Sequence, residues 1–207
     1  MTEKFPKKKY QKISNFYYDY ISNLNSEMSL IDINQLNKIT EQIIIAIKKK
    51  RNIFVCGNGG SAAIANHLLA DYAKYIKTNN NLKIKVISLS SNIEIITAIS
   101  NDINYDSIFS YQLNNYALKN DILISISSSG NSKNILDVIK TAKKLGVKTI
   151  SFLGFGGGEA KRLSDFSLSI SQKNYGMSED SAHIFMHTIC QFIKQKISLK
   201  NIKNITF

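Results

Sequence analysis

Apolar positions recur at helical spacing through the first fifty residues. Ile31, Ile33, Leu36, Ile39, Ile43, Ile44 and Ile47 fall mostly three or four apart and run up to the basic segment 48–51, which suits the negative end of a helix dipole. Upstream, the aromatic stretch 16–20 with Ile21 and Leu24 predicts another helix, with surplus apolar surface suited to subunit contact. From residue 53 the pattern switches. Short apolar runs at 53–55, 84–89, 122–126 and 149–153 are too short for helices and read as strands. Between them lie amphipathic segments at 62–76, 93–99, 107–118 and 135–145, the last stopped by Gly146. A fifth strand at 166–170 and a final helix at 181–197 complete the alternation.

Strands alternating with helices require right-handed crossovers and a mostly parallel sheet covered on both faces. The expected fold class is therefore α/β: a three-layer α/β/α domain with a five-stranded sheet. Its domain is expected at 30–207, preceded by a helical segment at 1–29. In such folds ligands gather at the carboxyl ends of the strands, which directs attention to the loops there.

Two loops stand out. The first strand runs into Cys56-Gly57-Asn58-Gly59-Gly60-Ser61 and then a helix. Glycines allow a tight turn and close backbone approach, and a helix N-terminus favours an anion. The segment is neither a Walker A loop nor a complete dinucleotide fingerprint. A plain strand-to-helix turn with Ser61 as cap is the alternative reading. The third strand ends in Ser127-Ser128-Ser129-Gly130-Asn131-Ser132, again opening a helix. Four hydroxyls and several backbone donors can surround a phosphate without any lysine. Both loops fall on the same edge of the expected sheet, so one phosphorylated ligand can bridge them.

The three histidines supply a second constellation. His67 and Asp71 are four apart on one helix, and Glu179, His183 and His187 recur at the same spacing on the last. Imidazole and carboxylate at i, i+4 on two helices can hold Zn²⁺. Asp71 can instead pair with Lys74, and Glu179 with Asp180 can simply open the last helix as dipole-favoured acids.

The loops CGNGGS and SSSGNS, in that order and separated by Ser100-Asn101-Asp102, resemble a SIS (sugar isomerase) domain of the phosphoheptose isomerase branch over roughly residues 30–197. The resemblance implies that Ser127, Ser128, Ser129 and Ser132 hold the substrate phosphate, and that Asn58, Gly59 and Ser61, with Asn101 and Asp102, lie at the substrate. It also implies a metal held at His67, Asp71, Glu179 and His187, with Asp71 and His187 handling protons. Asp71 stands where that branch has Glu, and Glu179 where it has Gln. His183 has no counterpart among the branch's ligands. The implied activity is conversion of sedoheptulose 7-phosphate to D-glycero-D-manno-heptose 7-phosphate in a homotetramer. The alternatives are a metal-free SIS protein that binds an effector or acts in replication initiation, and an isomerase of another sugar phosphate.

Composition bears mainly on partners. Across 207 residues, 27 basic against 15 acidic side chains give a net charge of +12, which invites nucleic acid or an anionic membrane. The lysines are dispersed, however, at 7–9, 48–50, 83 and 85, 143–144 and 194–203, and neither phosphate loop contains one. The charge reads as a solvated surface, with no nucleic acid and no membrane expected as partners. No apolar run approaches the roughly 18 residues of a span, and no apolar stretch follows the lysines near the N-terminus. Cys56 and Cys190 form no CxxC pair. A cytoplasmic setting is expected.

Overall fold

The β-branched runs form the strands because both faces of the sheet are covered, so inward and outward residues alike must be apolar. The structure, a computed structural model, describes residues 5–76 and 84–198. Its elements in chain order are α1 (Ile13–Ser29), α2 (Ile33–Lys48), β1 (Asn52–Gly57), α3 (Gly60–Ala70), β2 (Lys85–Ser88), α4 (Ile93–Asp102), α5 (Ile108–Tyr116), β3 (Ile122–Ser127), α6 (Lys133–Lys144), β4 (Lys148–Leu153), α7 (Gly158–Leu163), β5 (Phe166–Ser169) and α8 (Tyr175–Ser198). The strand order is β2-β1-β3-β4-β5, and every neighbouring pair is parallel.

Alternation along the strands divides the interior into two layers. Ile53, Val55, Ile122, Ile124, Ile126, Ile150 and Phe152 pack against α2, α3 and α8. Phe54, Cys56, Leu123 and Leu153 face the opposite way, against α4, α5, α6 and α7. Two serines break the apolar runs without leaving an orphaned hydroxyl. Ser125 and Ser151, opposite each other in the register, share a hydrogen bond at 2.6 Å, and Ser151 shares another with Ser164 at 2.6 Å.

Helix α1 closes the far end of the sheet through a small cluster of Phe5, Ile170 and Met177 with Phe16, Tyr20 and Leu24. The buried carboxylate of Glu27 accepts from the Ser171 backbone N–H at 2.7 Å and from its hydroxyl, and the Tyr20 hydroxyl donates to Asp180 at 2.6 Å. Burial first, then Asp180, pushes the Tyr20 phenol well above its ordinary range. The other face of α1 leaves Ile13, Tyr17, Tyr18 and Ile21 exposed.

Several boundaries differ from the sequence expectation. The segment expected as one helix at 62–76 is α-helical through Ala70 and then widens into a π-helical turn at Asp71–Tyr75. Helix α4 runs past 99 and absorbs Asn101 and Asp102. The segment 107–118 divides into a 3₁₀ turn, Tyr105–Ser107, and α5. The last helix begins at Tyr175, six residues early, so Glu179 and Asp180 lie beyond its first turn and do not open it. Asn174 explains the early start, its side-chain oxygen accepting from the Met177 backbone N–H at 3.0 Å. Helix α7 had no sequence signal. Lys83 and the lysines beyond residue 198 lie outside the described residues. Among the described residues, no helix is long and apolar enough to cross a membrane.

Candidate active site

In this strand order the chain leaves β1 toward one side of the sheet and β3 toward the other, so a crevice opens at their carboxyl ends. The register brings Gly57 opposite Ile126, so the glycine and serine loops emerge side by side. They line a cavity of about 290 Å³. Asn58, Gly59, Ser61, Ser127, Ser128, Ser129 and Ser132 all border it, as do Gly60, Ile126, Tyr175 and Glu179.

Backbone geometry shapes this cavity. Gly59 precedes α3 at φ 53°, a left-handed conformation that favours glycine, and neither α3 nor α6 has a side-chain cap on its first N–H groups. Two helix N-termini with uncommitted donors thus meet the serine hydroxyls, an arrangement suited to a phosphate. Ser127 and Ser129 brace their own loop by accepting from the N–H groups of Gly130 at 3.1 Å and Asn131 at 3.2 Å. Asn58 is held by a reciprocal amide pair with buried Asn134, at 2.9 and 3.0 Å, and by the Tyr105 hydroxyl at 3.1 Å. Among the described residues of the lining, Glu179 is the only carboxylate and no Lys or Arg is present; nearby Lys133 pairs with Asp106 at 3.9 Å.

The second constellation forms where α3 passes α8. His67 Nε2 lies 3.6 Å from Asp71 Oδ1, and His187 Nε2 lies 3.6 Å from Asp71 Oδ2. Among the described residues, His67, Asp71 and His187 form a group whose ligand atoms all lie within 4.8 Å of one another. An ion bound at about 2.0–2.2 Å holds tetrahedral ligands roughly 3.4 Å apart, so the donor set and its spacing fit a metal. Asp71 opens the π-helical turn, a backbone feature that often marks functional positions. His183 joins the ring cluster, edge-on to His67 at 5.6 Å and stacked beside His187 at 5.8 Å. Burial, then the neighbouring His67 and His187, lowers its pKa.

Glu179 is not in the metal-competent group. Its carboxylate lies over the start of α3, where a Cβ added at Gly60 would come within 2.2 Å of Oε1. Asn101 and Asp102 also lie elsewhere. They hydrogen-bond to each other at 2.8 Å at the end of α4, where Asp102 borders a separate depression with Tyr111 and Tyr116. Sequence reasoning missed Asn134, Tyr105 and Tyr175. Asn134 had a weak signal, two residues beyond Ser132; the others had none.

Residues 16–154 match the SIS domain, and the chain belongs to that family. The phosphoheptose isomerase of Helicobacter pylori strain Shi470 is 36% identical over 176 residues, 84% of this chain and 91% of that protein. The phosphoheptose isomerase of Clostridium acetobutylicum is 34% identical over 165 residues, covering 80% and 84% of the two chains. A solved phosphoheptose isomerase from Francisella tularensis has a TM-score of 0.80 at 25% identity, covering 88% of this chain and 97% of that one. Within the SIS family, this chain is a member of the phosphoheptose isomerases, enzymes of the sugar-phosphate isomerase class.

Proposed function

We propose that the chain converts sedoheptulose 7-phosphate to D-glycero-D-manno-heptose 7-phosphate, with one Zn²⁺ per site. The observation that carries this reading is the alignment of two sites along one helix. Gly60, at the phosphate-type cavity, and His67, in the metal-competent group, are seven residues apart on α3, about 10 Å along its axis. An extended seven-carbon sugar phosphate has comparable reach, so anchoring its phosphate brings the carbonyl end to the histidines.

The isomerisation removes a proton from C1 of the ketose, forms an enediolate, and returns a proton to C2, while a hydroxyl proton passes from O1 to O2. No electrons are gained or lost overall. Ser127, Ser128, Ser129, Ser132 and the N-terminus of α6 hold the phosphate, so that binding energy remote from the reacting carbons positions them. Asn58, whose side-chain oxygen is already engaged by Asn134 and Tyr105, donates its remaining N–H, and Glu179 accepts, at sugar hydroxyls beside the glycine loop. Asp71 and His187 carry the protons between C1 and C2. His67, Asp71 and His187 would hold the metal, which when bound would supply Lewis-acid polarisation of the substrate carbonyl.

The exposed face of α1, with Ile13, Tyr17, Tyr18 and Ile21, supports assembly into a homotetramer. Buried, unpaired Cys56 and Cys190 suit a reducing cytoplasm. The test is purified protein assayed for zinc content and for turnover of sedoheptulose 7-phosphate, arabinose 5-phosphate and fructose 6-phosphate. Turnover of the heptose with bound zinc is expected. No zinc and no turnover of any sugar would overturn the enzyme reading, and turnover of only the shorter sugars would overturn the heptose assignment.

A further inference from the structure

We propose that the chain carries a second anion site, at the amino ends of the strands, which takes a small organic molecule bearing two phosphate groups. A cavity of about 340 Å³ opens there, on the edge of the sheet opposite the glycine and serine loops, and it falls within the size range of small-molecule sites. Lys49 and Arg51, between α2 and β1, and Lys148, the first residue of β4, line it together. Among the described residues no carboxylate does. Strands β1 and β3, six residues each, put about 17 Å between the two edges, so one phosphate cannot serve both cavities.

Arg51 carries the argument. Its Nε is buried and has no hydrogen-bond partner. A buried guanidinium N–H left unpaired is costly, and an anionic acceptor removes that cost through a charge-assisted hydrogen bond. The backbone is committed to this placement. Lys50 takes the left-handed conformation, φ 54°, at the position after a helix end where glycine is usual. Its N–H then donates to the Ile47 carbonyl at 3.1 Å, the Arg51 N–H to Ala46 at 2.9 Å and the Lys49 N–H to Ile45 at 2.9 Å. Those three carbonyls are thereby occupied, which weakens the negative end of the α2 dipole beside the cavity.

The remaining lining sets the ligand class. Lys148 Nζ donates to Gln42 Oε1 at 2.8 Å, a partner that orients the ammonium without neutralising it. Asn120 is a second left-handed residue at this cavity, φ 71°, held by its N–H to the Gly146 carbonyl at 2.9 Å. Asp121, next in the chain, does not line the cavity. Its buried carboxylate accepts from the Asn52 backbone N–H at 3.0 Å, the Asn52 amide at 2.9 Å and the Leu118 N–H at 2.9 Å. A phosphate group carries about −1.5 to −2 at neutral pH, so two of them match three cations where one does not. Ile45 and Ile122 offer an apolar wall to the organic part of the ligand, with the amides of Gln42 and Asn120 beside it.

The test titrates the full chain with inorganic diphosphate by calorimetry, without divalent cations, alongside Arg51→Gln, Lys148→Gln, Ser128→Ala and Lys140→Gln. Lys140 is an exposed residue of α6 that does not line the cavity, so its variant controls for net charge. One binding event per chain is expected, weakened about 10–100-fold in Arg51→Gln, about tenfold in Lys148→Gln, and within about threefold of wild type in Ser128→Ala and Lys140→Gln. Inorganic phosphate is expected to bind at least about tenfold more weakly than diphosphate. Thermal melting checks folding, and Lys148 is exposed, so its variant keeps the test open if Arg51→Gln does not fold. No binding to the wild type, or unchanged affinity in a folded variant of Arg51 or Lys148, overturns the proposal. An equal loss in Lys140→Gln overturns it in favour of diffuse surface charge. Binding that Ser128→Ala abolishes overturns it in favour of the serine-loop cavity, and equal affinity for phosphate and diphosphate overturns the two-phosphate ligand.

Discussion

The two halves of the site are built by different means. The phosphate-type cavity comes from the ends of adjacent strands and the starts of the helices that follow, so its parts are short, contiguous segments. Its donors are backbone N–H groups and hydroxyls, with no Lys or Arg on the lining among the described residues. The histidine cluster is made of side chains on two helices separated by more than a hundred residues, and depends on how α3 and α8 pack. Topology dictates the first half and tertiary packing the second. A fold that keeps its strand order therefore keeps the crevice between these loops, while the helix-face residues beside it can change.

The sharpest way to break this comparison is to remove chemistry and keep binding. His187→Ala is expected to lower turnover by about 10³-fold or more, within the range of lost proton transfer compounded by a lost metal ligand. Sugar-phosphate binding to the cavity, measured by calorimetry, is expected to persist. Full activity would show that the helix cluster is not the reacting end. The converse change is Ser128→Ala. A hydrogen bond to a charged group is worth about 1.5–3 kcal/mol, so KM is expected to rise about 10–100-fold with kcat little altered. A fall in kcat at constant KM would place Ser128 at the reaction instead.

The same division governs how much was legible in the sequence. The glycine and serine loops could be read because strand, loop and helix start are consecutive, and all seven residues taken from them border the cavity. His67, Asp71 and His187 could be read because helical periodicity already puts i and i+4 on one face. Glu179 has the same periodicity on α8, and only the placement of α8 against Gly60 shows that its carboxylate turns toward the cavity. Asn101 and Asp102 looked like a loop because polar residues end the apolar pattern at Ile99, yet α4 continues through them. Helix α7, Gly158-Glu159-Ala160-Lys161-Arg162-Leu163, is too short and polar to have a period and begins on the third of three consecutive glycines. Asn134 and Tyr105 contribute by touching Asn58 from 76 and 47 residues away, a relation that no local pattern encodes.

That long-range support predicts a smaller effect. Asn134→Ala removes both hydrogen bonds of the amide pair and, among the described residues, leaves the Asn58 side chain with Tyr105 alone. The expected loss in kcat/KM is about tenfold, in keeping with roughly 1–1.5 kcal/mol for an ordinary hydrogen-bonded orientation. Bound metal, read by metal analysis, is expected to be unchanged because, among the described residues, the histidine cluster shares no partner with Asn134. Lost zinc would mean that the two halves are coupled through α3.

The smallest expected effect concerns α8, the helix that serves both halves. Tyr20→Phe deletes the hydroxyl that donates to Asp180 at 2.6 Å, loosening α1 from the N-terminal part of α8 next to Glu179. The phenyl ring keeps its place against Phe5 and Phe16, so only the hydrogen bond is lost. Denaturant unfolding is expected to show a loss of about 0.5–1.5 kcal/mol. His183 and His187 lie one and two turns further along α8, so zinc affinity is expected to hold while KM rises slightly through Glu179. If zinc affinity fell instead, α8 would act as a rigid lever joining the two halves, and their separation by construction would not be a separation in energy.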